Sequence, residues 1–226
     1  MRSFTGFGGS LLMAPFLCLY IHPAQVVVIL TLMNWLITLQ FLPGIIKHIP
    51  WKKVLTISVP AIMTVPLGLY LGKVVDPTYI RTFMSFLVVS MSLLMLLGWT
   101  YKGTQTMPKD ATAGIFSGVL NGVAGAGGPP VIFYMISKKD DDAQKTRAFF
   151  MAYFGVLLSF TLIMMFIGST LKFDQVLQTS FLLPFYIIAS FIGTYLFNSA
   201  LKSKQEIVRK ISLIFLLCIG IISLSL

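Results

Sequence analysis

The residues best placed to act on a solute are glycines. The stretch "GVAGAGGPP" (122–130) sets Gly122, Gly125, Gly127 and Gly128 ahead of Pro129 and Pro130, inside a run that carries no charge from Ala111 to Ser137. Glycine and proline cost roughly 1 and roughly 3 kcal/mol against alanine inside a helix, so the chain interrupts its own helix there. A helix that starts again after a break presents unpaired N–H groups and the positive end of its dipole. Serine and proline are good openers, the first as a cap and the second because its missing N–H had no partner anyway. Ser10 follows Gly9 and Pro129 follows Gly128, which predicts half-helices over 10–20 and 129–137. Two such starts facing one point hold an anion without any buried cation. No lysine or arginine lies in the middle of an apolar run, so dipoles and neutral donors are what a permeating anion would meet, with the moderate affinity that transport needs.

The candidate contacts are Thr5, Gly8, Gly9 and Ser10 at the first break and Gly125, Gly127, Gly128 and Pro129 at the second, with the Thr5 and Ser10 hydroxyls as donors or plain caps. Asn34, in the middle of "VVVILTLMNWLITL", and Asn121, just before the second break, join them. An amide is expensive in lipid and turns inward, toward a ligand or toward a hydrogen bond with another helix. Glycines in membrane helices also serve as close-packing surfaces, and that reading stands beside the first.

Other chemistries find little. His22 and His48 lie at segment ends, no acid–base pair or HExxH-type set occurs, and Cys18 and Cys218 sit within apolar runs as expected buried thiols without metal-ligand spacing. There is no GxxxxGK[ST] phosphate loop, so a gradient or a separate subunit supplies the energy. No enzyme activity, cofactor or metal is expected.

The elements that must position these residues are apolar helices. Of 226 residues 57% are hydrophobic and 11% charged, with a mean hydropathy of +0.89, too few polar groups to cover a soluble globule. Charge-free stretches recur at 3–46, 54–72, 82–101, 111–137, 148–171, 175–201 and 211–226, most of them near the roughly 20 residues that cross a hydrocarbon core. They are continuous rather than alternating, which speaks against a β-barrel and for an all-α integral membrane protein. The net charge of +10 comes from lysines and arginines in short loops, a topology signal rather than a nucleic-acid footprint. Met1 and Arg2 lead straight into glycine-rich sequence with no recognisable signal peptide. Trp51 and Trp99 sit at segment ends, where an interfacial belt belongs.

The chain is written twice. Thr5–Gly9 pairs with Ala124–Gly128, Ala24-Gln25 with Ala143-Gln144, Gly68-Leu69-Tyr70-Leu71 with Gly193-Thr194-Tyr195-Leu196, and Arg81 with Arg209. The expected domains are a first repeat over 1–100, a connection over 101–110 and a second repeat over 111–226. The first repeat begins without the leading half-helix that 111–121 supplies in the second.

If every apolar segment crossed once, seven basic residues would face one side and ten the other, nearly no bias. If 111–137 dips in and returns, only Lys73, Arg81 and Lys172 fall on the minority side against 14 opposite. That arrangement makes each half a re-entrant element plus three crossings, and an odd number of crossings inverts one half relative to the other. A kinked single crossing is the alternative. Arg147 opens a segment after "SKKDDDAQKT" as part of a topology-setting loop, and Arg81 and Arg209 read as snorkelling anchors.

"RSFTGFGGSLLMAPFL" (2–17) and "SGVLNGVAGAGGPPVIFYM" (117–135) resemble the paired signature of the sulfite exporter TauE/SafE family of membrane transporters, and the likeness extends over "AYFGVLLS" (152–159) and "FLLPFYIIASFIGTYLF" (181–197). The family's glycine signature falls on Gly6, Gly8 and Gly9 and on Gly122, Gly125, Gly127, Gly128 and Pro129. The resemblance implies movement of sulfite, sulfonates or related organic anions, coupled to a proton or sodium gradient. The expected partners are thus a small anionic substrate, a coupling ion and membrane lipid, with no nucleic acid. The expected protein is a multi-pass secondary transporter of a bacterial inner membrane, working by alternating access around the two glycine tips. An anion channel of the same architecture is the alternative.

Overall fold

The computed structural model describes residues 13, 14, 17, 20–98, 103–135, 143–171, 173–199, 214, 217, 218 and 221. Among them the regular structure is helical: α1 (Pro23–Ile45), α2 (Trp51–Val74), α3 (Pro77–Leu96), α4 (Met107–Ala124), α5 (Gly128–Met135), α6 (Ala143–Ile167) and α7 (Phe173–Ser199), with a 3-10 turn at Ile46–His48 between α1 and α2. Local signals set the starts. Pro23 opens α1 while the His22 ring accepts from the Ala24 N–H at 3.3 Å. Asp76 accepts from the Thr78 N–H at 2.7 Å ahead of α3, and that backbone bond holds its carboxyl below the usual carboxylate range.

Five helices, α1, α2, α3, α6 and α7, are long and apolar enough to cross a membrane. The helix α4 is not of that set. It is 18 residues long and ends where Gly125 takes φ +65°, the left-handed conformation that glycine adopts without strain, while its N–H caps the Asn121 carbonyl at 2.8 Å. The 8 residues of α5 then run back along α4. Two bonds fix this hairpin: Ser117 Oγ donates to the Gly127 carbonyl, and Tyr134 OH donates to Asp110 Oδ1 at 2.5 Å. The step from Ser117 back to Asp110 equals the step from Gly127 on to Tyr134, roughly 10 Å of helix in each arm. Thus α5 starts level with the middle of α4 and ends beside the start of α4.

The most extensive packing is α2 against α4, and it is nearly backbone on backbone. Gly114, Gly118 and Gly122 form a stripe at four-residue spacing along α4 that meets Ile57, Ala61 and Gly68 in turn, so the two helices run parallel. A methyl on Gly122 would lie 2.6 Å from the Leu69 nitrogen and 2.7 Å from the Gly68 Cα, and one on Gly118 would overlap the Ala61 carbonyl and Thr64 Oγ1. Gly122 is thereby a packing residue, as the close-packing reading anticipates. On the other side α6 fills the centre with Phe149, Phe150 and Tyr153, all fully buried, against α1 and α2. Trp35 Nε1 donates to Ser159 Oγ at 2.8 Å across the α1–α6 contact.

One expectation is corrected. Cys218 is exposed, not buried. It shares a helical stripe with Ile214 and Ile221, which are also exposed, and apolarity in a membrane chain marks lipid contact as readily as core. Cys18 and Trp99 lie outside the described residues, and so does Ser137, beyond the observed end of α5 at Met135.

The glycine stripe carries a prediction. Gly118→Ala, with a methyl forced against fixed backbone, costs on the order of 1–3 kcal/mol and lowers the unfolding temperature in detergent, whereas Gly44→Ala, with open space around it, does not. Equal melting of the two variants would contradict the close approach.

Candidate functional site

At roughly 1.5 Å per residue, Ser117 lies about 15 Å along α4 from its start. The first residues of α5 are held at that level by side chains from behind. Gly127 is pressed on α4 so closely that a Cβ would stand 2.6 Å from the Ser117 carbonyl and 2.7 Å from Asn121 Cβ. Ser117 Oγ, donating to Gly127, itself accepts from Tyr153 OH at 2.7 Å. Ser117 and Tyr153 are both fully buried. The break thus rests on a two-step chain from α6 through α4 to the carbonyl of the tip.

The N–H side of the tip differs. Among the described residues the backbone N–H groups of Ala126, Gly127 and Gly128 give no hydrogen bond, although all three residues are buried. Pro129 and Pro130 have no N–H to give. Buried backbone donors are nearly always paired. These three adjacent donors lie at the positive end of a helix, whose field favours an anion.

The structure brings together five of the ten residues picked from sequence: Asn121, Gly125, Gly127, Gly128 and Pro129, all buried at the turn between α4 and α5. Asn34 is near them on α1. A Cβ on Gly125 would stand 3.4 Å from Val27 Cα and 3.7 Å from Leu30 Cβ, and the Leu30 carbonyl accepts from Asn34 Nδ2 at 2.7 Å one turn further on. Thr5, Gly8, Gly9 and Ser10 lie outside the described residues. Both amides are engaged with protein: Asn34 Oδ1 accepts from Tyr186 OH at 3.0 Å, and Asn121 Nδ2 donates to Thr161 Oγ1 at 2.9 Å. Each asparagine ties one helix to another, α1 to α7 and α4 to α6.

A model of the sulfite exporter TauE/SafE family matches residues 1–222 of this glycine-broken bundle. The chain belongs to that family. TauE/SafE proteins are membrane transporters, and membership together with five membrane-length helices makes this chain a multi-pass membrane protein. No curated protein and no solved structure matches it. As the TauE/SafE signature is read on this structure, its glycines divide into Gly122, which packs on α2, and Gly125 and Gly127, which shape the tip.

Sequence reasoning passed over Ser117, Tyr153 and Thr161, which fix the tip, and Asp110, Lys53 and Tyr134, which close the hairpin's open end. Ser117 and Tyr153 fall inside the signature stretches but are ordinary residues there. Asp110 stands out only as the acid heading the charge-free run.

The chain of bonds behind the tip makes an ordered prediction. Ser117→Ala leaves both the Gly127 carbonyl and the Tyr153 hydroxyl without their partner, at about 1–3 kcal/mol for each buried group, whereas Tyr153→Phe removes one donor from a serine that keeps its own acceptor. Melting temperature and substrate affinity should both fall in the order wild type, Tyr153→Phe, Ser117→Ala; the reverse order would contradict the chain.

Proposed function

We propose that this chain is a secondary transporter that moves sulfite or a related small anion across a bacterial inner membrane, with the substrate held at the start of α5. The observation that carries the reading is the row of unpaired N–H groups at Ala126, Gly127 and Gly128. It is supported by the family and by the hairpin, whose two arms begin and end on one side of the bundle. A hairpin that returns to its own side is what the lysine and arginine distribution asks of residues 111–137.

In this reading residues 1–100 and 111–226 are inverted repeats joined by 101–110, and Thr5, Gly8, Gly9 and Ser10 supply the second tip facing the first. Alternating access opens this pair of tips first to one side of the membrane and then to the other. The helices α1 and α6, placed alike in the two halves, pack on each other, which suits a contact at the pseudo-two-fold axis. Asn34 and Asn121 border the substrate while spending their amide bonds on neighbouring helices.

The test is uptake into proteoliposomes by the purified chain, across sulfite, sulfate, thiosulfate, sulfoacetate and taurine. Uptake that saturates and follows an imposed proton or sodium gradient is the expected result; non-saturating flux without a gradient response would mark a channel. Gly127→Val, whose side chain displaces the tip from Ser117, should cut transport by at least tenfold while the protein still purifies as a folded species. Full transport by that variant would remove the tip from the mechanism.

A further inference from the structure

The hairpin's second bonded end holds the one buried carboxylate among the described residues. Asp110 is 4% exposed, whereas Asp76 and Asp174 are exposed. Lys53 Nζ lies 2.5 Å from Asp110 Oδ1, Thr56 Oγ1 donates to Oδ2 at 3.1 Å, and Tyr134 OH donates to Oδ1. Lys53 also stands over the Tyr134 ring, 5.2 Å from its centroid. The cluster opens on a pocket of about 610 Å³ lined by Trp51, Lys52, Lys53, Thr56, Met107 and Asp110, which gives it a route to bulk water. A buried carboxylate is costly unless paired, and one that borders water can be neutralised instead.

We propose that Asp110 is the site at which the coupling proton binds; this rests on the transport reading above. The helix α5 is a rigid link between that site and the anion, because Tyr134 at its end touches Asp110 while Gly127 at its start lies at the tip. A proton from water in the pocket adds to the Asp110 carboxylate, and no other bond is made or broken. Lys53 then keeps its positive charge without the compensating carboxylate, and the Tyr134 contact weakens. Both changes favour an anion in the pathway, so proton and anion each raise the other's affinity, as linkage requires. Among the described residues the charged and titratable groups facing Asp110 are Lys53 of α2 and Tyr134 of α5; Lys52 lines the same pocket, and Lys109 of α4 donates to the Thr104 carbonyl at 3.2 Å.

The experiment uses full-length chain in proteoliposomes and radiolabelled sulfite, with external pH held fixed so that the added sulfite is ionised alike in every arm. Two quantities are read: sulfite–sulfite exchange at equal pH, and accumulation driven by an inward proton gradient. Wild type should do both. Asp110→Asn should retain exchange within about threefold and lose gradient-driven accumulation, and Tyr134→Phe should lower accumulation more than exchange. Where Asp110→Asn does not fold, Asp110→Glu serves, with accumulation kept and its dependence on internal pH displaced. Gradient-driven accumulation by Asp110→Asn, or an Asp110→Glu profile identical to wild type, overturns the proposal. Wild type that exchanges sulfite but ignores the proton gradient overturns it while leaving transport standing. Wild type that moves no anion at all sinks the transport reading itself.

Discussion

Peptide groups that leave a helix inside apolar surroundings must find partners, because lipid offers none. The turn between α4 and α5 satisfies this in part. Two of its carbonyls are served from behind, that of Asn121 by the Gly125 N–H and that of Gly127 by Ser117. The N–H groups of Ala126, Gly127 and Gly128 are left over, and in the proposed function they are what the anion meets.

Holding a half-helix start at a defined depth requires a stiff support. The support is α4, clamped on α2 by three glycines and a facing glycine, and tied to α6 through Tyr153 and Thr161. Small residues let backbones approach until dispersion and weak C–H···O contacts replace side-chain interdigitation. The hydroxyls of Tyr153, Ser117 and Thr161 then act at distances that leave no slack, all between buried atoms of adjoining helices.

Much of this was legible in the chain's letters. The helical class and, among the described residues, the places of the five membrane-length helices followed from charge-free runs, since a membrane helix must be apolar for about 20 residues, and a break within 122–130, observed at 125–127, followed from glycine and proline cost. What was not legible was direction. Asn34 and Asn121 had to turn away from lipid, but only coordinates show them bonded to Tyr186 and Thr161. Gly122 looked like its neighbours at 125 and 127, yet it faces α2 rather than the turn. The spacing of Gly114, Gly118 and Gly122 was a readable sign of a packing face that the attention to the break concealed. Asp110 was hidden for another reason: an acid in the first turn of a helix is ordinary, and its burial depends on Lys53, distant in sequence.

The glycine seam between α2 and α4 has a mechanical corollary. Interdigitated side chains let two helices slip by exchanging rotamers, but a seam of bare backbone has no rotamers to exchange. The two helices are therefore obliged to travel as a single strut, carrying the α5 start with them, and any displacement within the bundle has to be taken up elsewhere. The α1–α6 border, by contrast, meets through side chains, Trp35 and Ser159 among them, which do have rotamers to exchange.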